Sequence, residues 1–141
     1  MELRLERVSQ QVGPQTHLYP LDLALQPHAV TVLLGATQAG KTSLMRLMAG
    51  LDVPSAGRVL VNDEDVTGVP VRERNVAMVY QQFINYPSMT VARNIASPLN
   101  LRGGLDRTAI SQRVMEIAAK LHIEPFLKRL PAELSGGQQQ R

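Results

Sequence analysis

Alternating apolar and charged residues at the start of the chain predict strands that are buried on one face only. Leucines alternate with charged residues from position 3, and a second leucine alternation runs over residues 21–25. A period of two places apolar side chains on one face of a strand. Residues 11–16 contain Gly13-Pro14, which predicts a turn. A third short strand is predicted over residues 58–61.

A continuous apolar run predicts a strand that is buried on both faces. Residues 29–34 read Ala-Val-Thr-Val-Leu-Leu, a β-branched run typical of a central parallel strand. A further strand is predicted at residues 76–80.

Apolar residues at helical spacing predict three helices. In the first, such residues recur at intervals of three and four positions, at Leu44, Leu47, Met48 and Leu51. Thr90 is predicted to cap a second helix that runs to about residue 99, with Pro98 disturbing its end. Asp106 is predicted to cap a third, whose apolar stripe extends to Leu121. Strands therefore precede helices, which predicts a nucleotide-binding β subdomain at 1–84 and a helical subdomain at 85–141.

A phosphate-binding pattern, G-x-x-x-x-G-K-[ST], lies between the strand predicted at 29–34 and the first helix. It comprises Gly35, Ala36, Thr37, Gln38, Ala39, Gly40, Lys41 and Thr42, and it is followed by Ser43. The glycines allow backbone N–H groups to turn toward phosphates, and Lys41 reaches the terminal phosphates as a point charge. The Thr42 hydroxyl is a candidate ligand of Mg²⁺. The segment predicts an ATP-type phosphate site at a helix N-terminus.

Two further segments are candidates for the same chemistry. Gln81 follows the strand predicted at 76–80, and its carbonyl oxygen can approach Mg²⁺ or an attacking water. The alternative is an ordinary polar loop residue. Near the end of the sequence stand Leu134, Ser135, Gly136, Gly137 and Gln138. A serine and two glycines ahead of helix-favouring glutamines predict a second anion-binding helix start, and the alternative is a flexible linker.

Composition excludes several classes of protein. The chain has 141 residues, 44% of them hydrophobic, which is enough for an ordinary core. There is no cysteine, so neither a disulfide framework nor a thiolate metal site is expected. The net charge is only +3 and no run of basic residues occurs, so no nucleic-acid partner is expected.

The order of these motifs resembles that of the ATP-binding subunits of ABC transporters, over essentially the whole chain. This resemblance implies an α/β fold of the P-loop NTPase type, with an N-terminal β subdomain and a helical subdomain. The segments 47–51, 55–59, 74–81 and 92–95 are similar to the importer branch that serves sugars, polyols, glycerol and glycerol phosphates.

The resemblance also implies how the residues act. Two subunits sandwich two ATP molecules head to tail: residues 35–43 hold the phosphates of one ATP, and residues 134–138 close on the ATP of the partner. Lys41 and Gln81 are the implied catalytic residues, and Thr42 and Gln81 the implied ligands of Mg²⁺. The implied partners are a second ATP-binding subunit, transmembrane permease subunits and, indirectly, a solute-binding protein. The implied location is peripheral, at the cytoplasmic face of the cell membrane.

The sequence departs from the family pattern at three places. Gln38 stands where a glycine is usual in the phosphate loop, and Val12 stands where an aromatic ring usually stacks on adenine; Tyr19 and His17 are the alternatives. The sequence ends at Arg141, and the Asp and Glu of the next apolar strand and a later His have no counterpart. We therefore expect an N-terminal part of a longer polypeptide, truncated before that strand, that binds nucleotide without turnover.

Two other classes of protein are compatible with the sequence. One is an ABC-type ATPase that acts on DNA, although the sequence lacks the sustained heptads of a long coiled coil. The other is a small-molecule kinase, which shares the phosphate loop but gives no reason for residues 134–138.

Overall fold

A four-stranded antiparallel sheet is the framework of the first of two units, which ends at Met78. The structure, a computed structural model, describes residues 2–141. The strands lie in the order β2-β1-β3-β4. Their bounds are β1 Leu3–Val12, β2 Gln15–Leu25, β3 Ala56–Val61 and β4 Glu64–Asp65. The three strands predicted by alternation are therefore present, and β1 and β2 extend to a tight turn at residues 13–14.

One helix, α1, which spans Lys41–Ala49, packs against this sheet. The apolar positions that predicted the helix supply Leu44 and Leu47 to the core, where both side chains are buried. The other buried residues of this core come from the strands and are Leu3, Leu5, Val8, Leu18 and Val59. A short 3-10 helix, Val71–Glu73, follows the sheet.

The strands predicted at 29–34 and 76–80 are not present, and this prediction was wrong for the structure described here. Neither segment has regular secondary structure. Val30 is 93% exposed and Leu34 85% exposed. A strand needs hydrogen-bonded neighbours, and residues 2–141 offer none to either run. Without such neighbours, the apolar side chains of Val30 and Leu34 are exposed.

The second unit, Val79–Arg141, is helical. Its helices are α2 Val91–Arg102, α3 Arg107–Leu121 and α4 Gly136–Gln140, with short 3-10 helices at Glu124–Phe126 and Pro131–Glu133. Thr90 and Asp106 cap α2 and α3 as predicted, accepting hydrogen bonds from Arg93 N and Ala109 N. Pro98 lies inside α2, which continues to Arg102, beyond the predicted end.

A small apolar core joins these helices to the segment that precedes α4. Val91, Ala118 and Ile123 are buried, and Leu134 packs against them. The start of α2 is also fixed by main-chain bonds: Val91 N donates to Arg129 O and Ala92 N to Leu127 O, both at 2.9 Å. The residues just before α4 are thereby tied to the helical core.

Candidate functional site

The phosphate loop folds back on itself and holds the lysine of the motif. Ala39 N donates to Ala36 O at 3.2 Å. The Lys41 ammonium donates to the carbonyl oxygens of Gly35 at 2.7 Å and Ala36 at 2.6 Å. The structure thus brings residues 35–43 together as one loop and first helical turn, with the ammonium over the loop.

Gly40 makes the passage from this loop into α1 possible. Its φ is +83°, in the left-handed region that favours glycine. A Cβ added there would lie 2.9 Å from the carbonyl oxygen of His17, so a larger residue meets main chain as well as strain.

The start of α1 differs from every other α-helix start in the described residues. No side chain accepts a hydrogen bond from its first turn. The starts of α2, α3 and α4 are each capped by a side chain, from Thr90, Asp106 and Ser135 respectively. The first turn of a helix carries unsatisfied N–H groups and the positive end of the helix dipole. At α1 the N-cap is Gly40, which has no side chain to occupy these groups.

Gln38, which stands where the family pattern has glycine, lies in the left-handed backbone region. Its φ is +68°, and its side chain is exposed. A residue with a Cβ in the left-handed region costs about 1–2 kcal/mol relative to the right-handed one. The loop therefore keeps its turn in spite of the substitution, at a cost in stability.

The far end of α1 carries an ion pair. Arg46 Nε and an Arg46 terminal nitrogen donate to the two carboxylate oxygens of Asp52, each at 2.7 Å. The hydrogen bonds from Arg46 hold the pKa of Asp52 below its ordinary value. Such a two-bonded geometry fixes the turn that follows the helix.

In the second unit, residues 134–138, called the signature residues below, begin a helix (the signature helix, α4) whose first N–H groups are satisfied by its own side chains. Ser135 Oγ accepts from Gln138 N at 3.4 Å, and Gln138 Oε1 accepts from Ser135 N at 2.9 Å. This reciprocal arrangement is a capping box. Leu134 is half-buried against the helical core, whereas Ser135 and both glycines are exposed.

Gln81 lies in an exposed loop near the start of the second unit. Two residues further on, the ring of Phe83 packs over the start of α4, where a Cβ added to Gly136 would lie 3.6 Å from Phe83 Cζ. Within this unit, the loop that carries Gln81 therefore contacts the signature helix.

Asn94 is a structural residue of this loop that the sequence analysis did not assign. Its Oδ1 accepts from Tyr86 N at 2.8 Å, and its Nδ2 donates to Met89 O at 3.0 Å. One side chain in the first turn of α2 thus fixes the segment between Gln81 and the helix. The sequence carries no signal of this role, because the partners of Asn94 are main-chain groups.

The residues proposed for adenine lie at the β1–β2 hairpin. Val12 ends β1 beside the turn and is 52% exposed, and Tyr19 on β2 is 75% exposed. Val12 has no aromatic ring to stack on adenine, and stacking of Tyr19 or His17 stays a prediction.

The residues present fit a phosphate-bound Mg²⁺ better than an isolated ion. Among residues 2–141 no group of three or more His, Asp and Glu is placed to hold a metal. Mg²⁺ usually takes one or two protein ligands, several waters and the substrate phosphates. The Thr42 hydroxyl, exposed in the first turn of α1, suits that mode.

Comparison with known proteins identifies the family. The family described as ABC transporter matches residues 18–141, and the chain belongs to it. This membership confirms the predicted α/β class with its P-loop and decides against the small-molecule kinase.

The curated relatives are named as import ATP-binding proteins. The Fe(3+) ions import ATP-binding protein FbpC of Brucella suis is 41% identical over 96% of this chain. The spermidine/putrescine import ATP-binding protein PotA of Nitrosospira multiformis is 37% identical over 99% of this chain. The sn-glycerol-3-phosphate protein UgpC of Burkholderia ambifaria is 40% identical over 92%. The chain covers only 38%, 38% and 36% of the length of FbpC, PotA and UgpC, respectively. The sugar and glycerol-phosphate branch is therefore not singled out.

Solved structures share the fold. The ATP-binding cassette MJ0796, in a dimeric post-hydrolysis state bound to ADP and Pi, matches with a TM-score of 0.85 at 24% identity, over 97% of this chain and 65% of that one. A second dimeric structure of MJ0796 matches with a TM-score of 0.87. At this identity the likeness concerns the fold alone.

Proposed function

We propose that this chain binds ATP and Mg²⁺ as part of an ATPase subunit that energises a membrane importer. The observation that carries the proposal is the start of α1, which has no side-chain cap and stands directly after a loop that holds Lys41. A phosphate oxygen is a stronger acceptor for an ammonium than a carbonyl oxygen is. The loop thus presents a cation and free helix N–H groups to the same anion.

The roles follow from the chemistry of phosphoryl transfer. Lys41 and the N–H groups of the loop would offset the negative charge that spreads over the transferred phosphate. The Thr42 hydroxyl would hold Mg²⁺, which supplies further charge neutralisation when it is bound. We assign Gln81 to the Mg²⁺ ligands and to the orientation of the attacking water.

Ser135, Gly136 and Gly137 are assigned to the ATP of a partner subunit. Their exposure supports this, since a site that closes between two subunits must be accessible before closure. In this scheme ATP favours head-to-tail association and hydrolysis releases it. The dimeric solved structures of the cassette MJ0796 support the association of two subunits.

We assign the chain to the cytoplasmic face of a cell membrane through permease subunits, with a solute-binding protein as an indirect partner. Within the described part of the chain, no helix combines the length and apolar character needed to cross a membrane. The exposed side chains of Phe83, Ile84 and Tyr86 are the proposed permease contact.

For the cargo we propose a sugar, polyol, glycerol or glycerol phosphate, which the relative named for sn-glycerol-3-phosphate import supports. The relatives named for Fe(3+) and for spermidine and putrescine are similarly close. Uptake of labelled glycerol 3-phosphate, iron and putrescine in a strain that lacks the gene separates these classes. Loss of iron or putrescine uptake alone would refute the proposed cargo.

The binding proposal is tested by titrating the chain with a fluorescent ATP analogue and Mg²⁺. Lys41→Ala removes a charged hydrogen-bond donor and should weaken binding about 10- to 100-fold. Lys128→Ala is the matched control, because it removes an exposed lysine of the other unit. An unaltered chain without saturable binding, or equal binding by both variants, would refute the proposal.

A further inference from the structure

Arg74 joins two segments of the first unit through its guanidinium. It donates to Met48 O in the last turn of α1 at 3.3 Å. It also donates to Val69 O at 3.0 Å and to Val66 O, both in the loop after β4. The planar fork of an arginine suits several acceptors that converge in this way.

The guanidinium also lies against the residue that ends α1. Gly50 has φ +78°, and its N–H donates to the carbonyl oxygens of the last turn. A Cβ added to Gly50 would lie 2.5 Å from Arg74 Cζ. The Arg74 guanidinium can therefore occupy this position only because residue 50 has no side chain.

Arg74 binds main-chain carbonyl oxygens and no carboxylate among the described residues. None of the ion pairs formed within residues 2–141 involves it. The side chain is half-buried, and burial lowers the pKa of Arg74. A cation at the end of a helix interacts favourably with the last carbonyl groups and with the dipole.

We propose that Arg74 is a positioning residue of the nucleotide site, which fixes the C-terminal end of α1 to the 66–69 loop and thereby places Lys41 and Thr42. The helix has nine residues, about two and a half turns. A displacement of one end of so short and stiff an element therefore reaches the other. This inference rests on the proposed nucleotide binding, to which it adds a residue outside the phosphate loop.

The first test compares Arg74→Met with Arg74→Lys. Methionine keeps an apolar stem and removes every donor, so amide hydrogen exchange of residues 44–49 should accelerate about tenfold, and affinity for the fluorescent ATP analogue should fall about tenfold. Lysine keeps the charge, so Arg74→Lys should retain part of the protection against hydrogen exchange and part of the affinity for the ATP analogue. Exchange and affinity that match the unaltered chain in Arg74→Met would overturn the proposal, as would equal losses in the two variants.

Gly50→Ala approaches the same contact from the other side. It displaces the guanidinium but keeps the arginine, so it should reproduce the loss of affinity. Gly13→Ala is the control for left-handed strain, because Gly13 lies in the same unit, has φ +58° and has open space around it. The effects of Gly50→Ala and Arg74→Met should not add in the double variant. Additive effects, or a Gly50→Ala that behaves like the control, would contradict the inference.

The two proposals fail in different ways. An unaltered chain that does not bind nucleotide overturns the proposed function, and with it the effect of Arg74 on affinity. Hydrogen exchange is measured without nucleotide and decides the attachment of α1 by itself. Binding that depends on Lys41 but not on Arg74 would overturn this inference alone.

Discussion

The two helix starts to which the motifs point are built in opposite ways. The N-cap of α1 is Gly40, which has no side chain to cap the first turn. The N-cap of α4 is Ser135, which exchanges hydrogen bonds with Gln138. One start leaves its donors to a ligand, whereas the other supplies its own acceptors.

The uncapped start of α1 is available to bind a ligand, whereas the capped start of α4 is stable without one. An uncapped helix start lacks about 1 kcal/mol of capping stabilisation, and a phosphate can restore it. At α4, a phosphate must compete with Ser135 Oγ for the N–H of Gln138, because that N–H already donates to the hydroxyl oxygen. We therefore expect α1 to bind anions alone and α4 to do so only with further donors, as from a second subunit.

The largest effect expected on this comparison is that of Gly40→Ala. Left-handed strain together with the approach to His17 O should lower the stability of the first unit by about 2 kcal/mol and abolish nucleotide binding. Urea unfolding followed by circular dichroism measures this. Gly13→Ala is the control, since Gly13 has φ +58° but open space. Equal losses in both variants would show that the His17 contact has no effect.

Ser135→Ala should remove the cap of α4 and cost about 1 kcal/mol locally. Faster amide hydrogen exchange at Gln138 reports this loss, because that N–H loses its side-chain acceptor. Ser111→Ala changes an exposed serine inside α3 and should leave the exchange unchanged. Unaltered protection at Gln138 in Ser135→Ala would refute the self-capped description.

Gln38→Gly should stabilise the chain by about 0.5 kcal/mol, as relief of left-handed strain exceeds the added entropy of the unfolded chain. The same change at Gln112, exposed inside α3, should destabilise by about 1 kcal/mol. Thermal unfolding of the two variants should therefore move in opposite directions. A destabilised Gln38→Gly would show that the loop needs the glutamine side chain.

The smallest effect concerns the ion pair at the far end of α1. Because the folded state lowers the pKa of Asp52, its stabilising contribution is complete above its unfolded pKa of about 4 and is lost as pH falls through the lower folded value. The difference in Tm between the unaltered chain and Asp52→Asn should therefore shrink from pH 7 to pH 3. Glu124→Gln serves as the exposed control, and a constant difference would contradict the assignment.

Local chemistry was predictable from the sequence where it depends on neighbouring residues. The caps at Thr90 and Asp106 follow from residue type and position. The left-handed backbone at Gln38 was not predicted and is known only from the structure. The prediction of strands at 29–34 and 76–80 was wrong because a strand needs neighbouring strands to pair with, and the pattern within a segment does not show whether they are present. Asn94 and Arg74 were missed because their acceptors are carbonyl groups, which carry no sequence signal.

The sequence by itself determined the phosphate loop, the signature helix start and the order in which they occur, since each depends on a few adjacent residues. Only the tertiary structure showed that α1 begins without a side-chain cap and ends against Arg74. Hydrogen bonds between segments far apart in sequence depend on where the chain brings main-chain groups together. That placement is a property of the packed fold, because every residue carries the same carbonyl group whatever its side chain.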